Sequence, residues 1–220
     1  MTWKVTPSLY SSWRHYALPK FDRTEEQEAE ARAEFIRVLR KEKTDVTPEM
    51  ERGNQFESLI MKYVFIAKAK SENRGCLALE RDTSLLNKGD IVCAQTIGEQ
   101  VYNGEFQVKD GRELPSGNYI YGVADCILLN GIIDFKRVTQ YEQDKYKDSI
   151  QHWAYMYIWD LPQFYYYVGA GDPEPYIEPY CWFKGAEGLL DSRIAEMIGW
   201  INADAELRDI FAEFWTYEKE

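Results

Sequence analysis

The sequence predicts a mixed α/β (α+β) domain in which helices pack on a central sheet. Three observations carry that prediction. The elements come in the order helices, a run of strands, one helix, further strands and two more helices, which suits helices laid on a sheet. The stretch from Tyr119 to Val138 consists of two apolar runs joined by Asn130-Gly131, the strongest short-range hairpin signal. The segments on either side carry apolar residues at i, i+3, i+4 and i+7, the spacing of helices with one buried face.

Taken in order, "TPSLYSSWRHYAL" reads as a short helix entered through Thr6-Pro7 and followed by a turn at Pro19. A long helix runs from about Thr24 to Lys41, with Ala31, Phe35, Ile36 and Leu39 on its apolar face. The next, about 48–70, has a clear start: Thr47 caps, Pro48 suits the first turn and Glu49 complements the dipole. Its stripe is Phe56, Leu59, Ile60, Tyr63, Val64 and Ala67. The region from Gly89 to Leu114 has no clear period beyond a strand at 104–110, ended by Asp110-Gly111. After the hairpin come a helix from about Asp144 to Trp159, strands in "FYYYVGA" and "YIEPYCWF", and helices at about 187–201 and 204–217. The aromatics Trp200, Phe211, Phe214 and Trp215 suit either a core or an oligomer interface.

At 220 residues the chain fits a single domain, with 45% hydrophobic and 15% aromatic residues to fill it. Lys4, Arg14 and Lys20 interrupt any leader-like apolar run, and no stretch reaches membrane-spanning length, so a cytoplasmic protein without a membrane partner is expected. Cys76, Cys93, Cys126 and Cys181 form no C-x-x-C pair, which argues against a zinc knuckle. With only His15 and His152, an all-histidine metal site is impossible. The net charge of −11 disfavours non-specific attraction to nucleic acid, although an acidic metal site and a local basic groove can coexist in an acidic chain.

The hairpin also carries Asp125, Asp134 and Lys136, residues that strands disfavour. With Asn130 and Gly131 as a two-residue turn, Leu129 pairs with Ile132, Ile127 with Asp134, and Asp125 faces Lys136. Asp134 then lies diagonal to Asp125 on one face, at a Cα separation of about 7 Å. Two such carboxylates can converge on a cation with the ammonium beside it. A cross-strand ion pair on a solvated face fits the same residues, with Cys126, Leu128, Ile133 and Phe135 belonging to the core on the other side. In the helix at 48–70, Glu57 sits at the edge of the buried stripe one turn after Gly53, whose presence suggests close backbone approach. In the helix after the hairpin, Lys147, Gln151 and Tyr155 share one i, i+4, i+8 row.

Assembled, these residues resemble the PD-(D/E)XK nuclease superfamily, within it the RecB-like and lambda-exonuclease-like branch. The matching motifs are Gly53-Asn54-Gln55-Phe56-Glu57 for G-x-x-x-E, Gly122-Val123-Ala124-Asp125 for G-x-x-D, Asp134-Phe135-Lys136 for (D/E)-x-K and Gln151-His152-Trp153-Ala154-Tyr155 for Q-x-x-x-Y. All four occur in the family's order. "TPSLYSSW" is a loose echo of the segment that opens many RecB-like domains. The resemblance covers about residues 47–170 and implies a restriction-endonuclease-like α-β-β-β-α-β core, placed at about 47–185, with helices at 1–46 and 187–218 as decorations. Asp134 is shorter than the Glu of many relatives, and the cysteines of the iron–sulfur relatives have no counterpart, so no iron–sulfur cluster is expected.

The resemblance implies a metal-dependent deoxyribonuclease, more an exonuclease of phage or prophage recombination or repair than an endonuclease. Its cofactor would be Mg²⁺ or Mn²⁺, held by Asp125, Asp134, the Phe135 carbonyl and Glu57. Lys136 would orient the nucleophile, and Gln151 and Tyr155 would hold the water or phosphate. Arg137, Lys145 and Lys147 are candidate DNA-backbone contacts. Partners would be DNA, a single-strand annealing or recombination protein, and a second copy of the chain. A structure-selective or restriction-type endonuclease and a non-catalytic nucleic-acid-binding module stay open as alternatives.

Overall fold

A computed structural model describes residues 2–17, 23–43, 45–75 and 80–218. The elements are strand β1 (Lys4–Val5), helices α1 (Pro7–Ala17), α2 (Glu25–Leu39), α3 (Pro48–Ser71) and α4 (Lys88–Val101), and strands β2 (Glu105–Glu113), β3 (Tyr119–Leu128) and β4 (Gly131–Arg137). They continue with helix α5 (Gln151–Trp159), strands β5 (Gln163–Gly169) and β6 (Tyr176–Cys181), and helices α6 (Ala186–Ala203) and α7 (Ala205–Trp215). Local chemistry fixes the helix starts. Thr24 and Gln27 close a capping box, Thr47 accepts the Met50 N–H, Asn87 and Asp90 form a second box, and Asp204 accepts the Glu206 and Leu207 amides. The expected turn at Pro19 and Cys76 lie outside the described residues.

The strands form one open mixed sheet, ordered β1-β3-β4-β5-β6, with β2 along the other edge of β3. The succession α3-β2-β3-β4-α5-β5 is the restriction-endonuclease-like core, with α4 inserted after α3. On the edge away from β2, β3 meets β1 in parallel at Tyr119–Ile120, then β4 in antiparallel only from Cys126–Ile133 to Leu128–Gly131. Residues 121–125 have no partner on that edge, so the sheet forks there.

Helices cover both faces. One core joins α1, α2, α5, α6 and α7 to the sheet through Leu9, Phe35, Ile120, Ala154, Phe164 and Ile194. Phe211 and Trp215 belong to it and Trp200 and Phe214 pack against it, which assigns those aromatics to the domain's own interior. Trp3 stacks on Phe211 at 4.5 Å, and the Tyr217 amide donates to the Thr2 carbonyl, so the first strand is tied to the last helix. The second core lies under α3 and α4, with Phe56, Ile60, Ile97, Ile133 and Phe135.

Four expectations need correction. The hairpin closes through Leu129-Asn130, with Leu128 opposite Gly131, two residues from the expected register. Neither Asn130 nor Gly131 takes a positive φ. Gly131 serves instead as a close approach to β5, since a Cβ there would stand 3.0 Å from the Tyr165 ring. The helix expected from Asp144 begins only at Gln151. Asp144 adopts φ 61°, residues 143–148 form turns, and Ser149 Oγ accepts the Gln151 amide, so Lys147 stands before the helix. Asp110-Gly111 does not end β2, which pairs with β3 through Glu113 before turning at Gly117 (φ 84°). Around Gly53 there is open space, with no atom near the position of a Cβ.

Candidate active site

The fork in the sheet makes the site. Where β3 and β4 separate, their backbone groups lose ladder partners, and side chains take over. Asp125 Oδ2 accepts the Phe135 N–H at 2.9 Å, just past the last ladder pair. Tyr155 Oη donates to the Val123 carbonyl at 2.8 Å. Tyr155 can lie on the strand because residue 122 is glycine: a Cβ there would come within 2.6 Å of the Tyr155 ring. The spacing from Gly122 to Asp125 and from Gln151 to Tyr155 thus includes a packing pair that keeps the fork open.

Asp125 also marks a change of face. Ile120 and Ala124 of β3 enter the α5-side core, whereas Cys126 enters the core under α3 and α4. The β2 ladder skips the Gln107–Asp125 pair at this point, and Gln107 adopts φ 53°. Its amide donates to Asp125 Oδ1 at 3.3 Å. Gln107 is a neighbour of the site that sequence reasoning missed. A glutamine inside an alternating strand gives no signal of a positive φ.

Asp134 is 3% exposed and held at both oxygens. Gln151 Nε2 donates to Oδ1 at 2.6 Å, and Lys136 Nζ lies 2.6 Å from Oδ2. The fully buried Tyr166 places its ring 5.9 Å from that ammonium. Glu57, half-buried on α3, completes the group electrostatically. Burial, then the charges of Asp134 and Glu57, push Asp125 up to about 7 against the pull of the Phe135 amide and Lys136. Burial, then Asp134, raise Glu57, with Lys136 opposing. Burial pulls Lys136 down, but Asp134 and Asp125 together outweigh it and raise its pKa. Burial, followed by Asp134, pushes Tyr155 up to about 12, so its hydroxyl stays a donor at neutral pH.

Asp125, Asp134, Lys136, Gln151 and Glu57 are therefore brought together. Tyr155 is 7% exposed and bonded to the strand, a supporting position instead of an open contact. Arg137 is committed elsewhere: its Nε lies 2.6 Å from Asp90 Oδ1 and its Nη2 donates to Oδ2 at 2.9 Å, in a pair whose side chains are 7% and 0% exposed. Lys145 and Lys147 are exposed on the turns before α5. Beside Lys136 and Gln151 opens a cleft of about 480 Å³, walled by the unpaired edge of β3 (Tyr121–Val123) and by Thr6, Ser8 and Ser11 at the start of α1. The segment "TPSLYSSW" thus shares a cleft with Lys136, Gln151 and Tyr155.

The donor set suits a hard divalent cation in kind, since Asp125, Asp134 and Glu57 offer only oxygens and their mutual repulsion calls for positive charge. As the side chains stand, Lys136 supplies that charge. No three acidic, histidine or cysteine side chains among the described residues are gathered as a metal cage. A cation between the carboxylates requires the ammonium to swing off Asp134.

No protein-family profile matches the chain, and no curated protein matches it. Solved structures similar to it include a candidate exonuclease from Eubacterium rectale, with 14% identity and a TM-score of 0.48, covering 98% of this chain and 89% of that one. Another is SSO0001, with 15% identity and a TM-score of 0.38, covering 68% of this chain and 77% of that one. The functional reading therefore stands on the residues of the fork. No helix among the described residues is long and apolar enough to cross a membrane.

Proposed function

We propose that the chain is a metal-dependent deoxyribonuclease that hydrolyses DNA phosphodiester bonds from strand ends. One observation carries the reading: two carboxylates and a lysine meet at the opened edge of a sheet, linked through Asp134 to Gln151 and backed by Glu57, beside a cleft that Lys136 and Gln151 line. Packing alone gives no reason for that convergence. Burying Asp134 and half-burying Asp125 and Glu57 around a single ammonium costs stability, and such arrangements concentrate where they serve chemistry.

Asp125, Asp134, Glu57 and the Phe135 carbonyl would hold Mg²⁺ or Mn²⁺. When bound, the ion supplies an acidified water and offsets charge on the scissile phosphate. Gln151 fixes one oxygen of Asp134, leaving the other to the cation. Lys136, released from Asp134, orients the attacking water and shares the negative charge of the transition state. Tyr155 and Gly122 keep β3 apart from β4 so that the strand being cut can reach the carboxylates. Lys145 and Lys147 meet the DNA backbone from the turns before α5.

The test is incubation with linear and covalently closed circular double-stranded DNA, in Mg²⁺ or EDTA, beside Lys136→Ala. Degradation of the linear form alone is expected, abolished by EDTA and slowed roughly 10²–10³-fold or more in the variant, the range seen on removing one transition-state donor. Cutting of the circle would move the assignment to an endonuclease. Full activity in Lys136→Ala would remove the assignment altogether.

A further inference from the structure

We infer a second anion seat, at the far end of the catalytic strand, that takes a non-scissile phosphate of the same DNA strand; the inference rests on the nuclease reading. Where β4 ends, the chain runs directly from Lys136 through Arg137 and Val138 into Thr139 and Gln140. These residues, with Arg52 and Glu49 of α3 and Lys145, line a cavity of about 360 Å³.

The charges in it are unevenly committed. Arg137 is neutralised by Asp90. Arg52 has no hydrogen-bond or ion-pair partner among the described residues, and its Nε is buried without an acceptor. A guanidinium N–H shut away from water with nothing to accept it is costly, and an incoming oxyanion removes that cost. Lys145 is exposed and forms no ion pair among the described residues, lying 6.0 Å from the ring of Tyr146. Acids outnumber bases in this chain by 37 to 26, so two cations left unpaired on one cavity call for an anionic occupant. Thr139 and Gln140, both exposed, add neutral donors at the rim. Glu49 opposes the cations from the same wall.

Location identifies the anion. Arg52 precedes Glu57 by five residues on α3, a helical rise of about 7.5 Å. That is about two nucleotides of axial rise at ~3.4 Å each, so a strand lying on the carboxylates brings a neighbouring phosphate to the cavity. A planar guanidinium with a lysine beside it suits that phosphate.

The experiment is fluorescence anisotropy of a labelled linear duplex in EDTA, where no turnover occurs, across a KCl series. It compares the wild-type protein, Arg52→Ala/Lys145→Ala, Arg52→Lys and Glu49→Gln, with thermal melts to establish that each is folded. The double variant is expected to bind ~10-fold more weakly at low salt, with the log K against log[KCl] slope reduced by about 1. Arg52→Lys should retain the wild-type slope, and Glu49→Gln should bind more tightly. Identical affinity and slope in the double variant overturns the seat, as does an absence of DNA binding by the wild-type protein. If the wild-type protein cleaves linear DNA while the double variant keeps its KM and salt slope, the seat fails alone. If nothing is cleaved but the binding differences hold, the nuclease reading fails and the seat stands.

Discussion

Replacing Asp90 by alanine should cost more stability than any other single change of charge. Asp90 is fully buried and grips Arg137 through both oxygens, at 2.6 and 2.9 Å. It also accepts the Asn87 amide at the start of α4. Its removal leaves a guanidinium that is 7% exposed without a countercharge, a loss of about 3–5 kcal/mol for a broken buried pair. Loss of half the capping box adds about 1 kcal/mol. A total of about 4–6 kcal/mol is a large share of the roughly 5–15 kcal/mol that holds a domain together. At about 2–4 °C per kcal/mol, Tm should fall by roughly 10–20 °C. Urea unfolding followed by tryptophan fluorescence measures the first figure and a thermal melt the second. Asp90→Leu combined with Arg137→Met should recover at least half of the loss, because it leaves no buried charge unpaired. A loss below about 1 kcal/mol in Asp90→Ala, or a double variant no better than the single, would refute the argument.

Two further outcomes separate structural from chemical roles. Tyr155→Phe should cost roughly 1–3 kcal/mol by leaving the Val123 carbonyl unsatisfied, and Gly122→Ala a similar amount by displacing the Tyr155 ring; loss of the proposed DNA cleavage with no change in melting temperature would instead make Tyr155 a direct substrate contact. His152, 1% exposed and stacked at 4.0 Å on Tyr180, is pushed down to about 4 by burial and, secondarily, by Arg193. The unfolded chain therefore binds a proton that the folded chain refuses. His152's contribution is intact above about pH 6.5 and falls by about 3 kcal/mol between there and about pH 4. Asp125, held up near 7, has the opposite slope over the same range and offsets this one in the wild type, so the quantity to read is the difference between the wild-type and His152→Phe profiles, which should change by about 3 kcal/mol across that window. Parallel profiles would disprove the assignment.

Legibility in the sequence followed from where information is local. Thr47-Pro48 announced α3, and the hairpin's apolar faces announced two strands, because capping and alternation depend on neighbours in the chain. Helix α4 escaped because it contains Gly89 and Gly98 among β-branched residues. Gly98 is there for contact with α3: a Cβ would lie 2.6 Å from the Tyr63 Cβ and 2.9 Å from the Ile60 carbonyl. A residue chosen by a helix forty positions away looks like a helix breaker when read alone. The composition of the carboxylate group was legible, yet its geometry was not. The fork depends on β1 reaching β3 from the other end of the chain, and the hairpin register depends on β5 pressing against Gly131. Arg137 looked like a free cation because Asp90 lies in the helix that gave no signal.

The pairing of the first strand with the last helix bears on the order in which the molecule comes together. Trp3 stacks on Phe211 and the Thr2 carbonyl accepts the Tyr217 amide, so the segment leading into α1, which also pairs with β3, gains its second anchor only once α7 is present. The acids, the lysine and the glutamine are all synthesised before that helix. Closing a loop of this length is an entropically late step. A chain leaving the ribosome therefore carries its charged cluster for some time before the wall of Thr6, Ser8 and Ser11 beside the cleft is held from both sides.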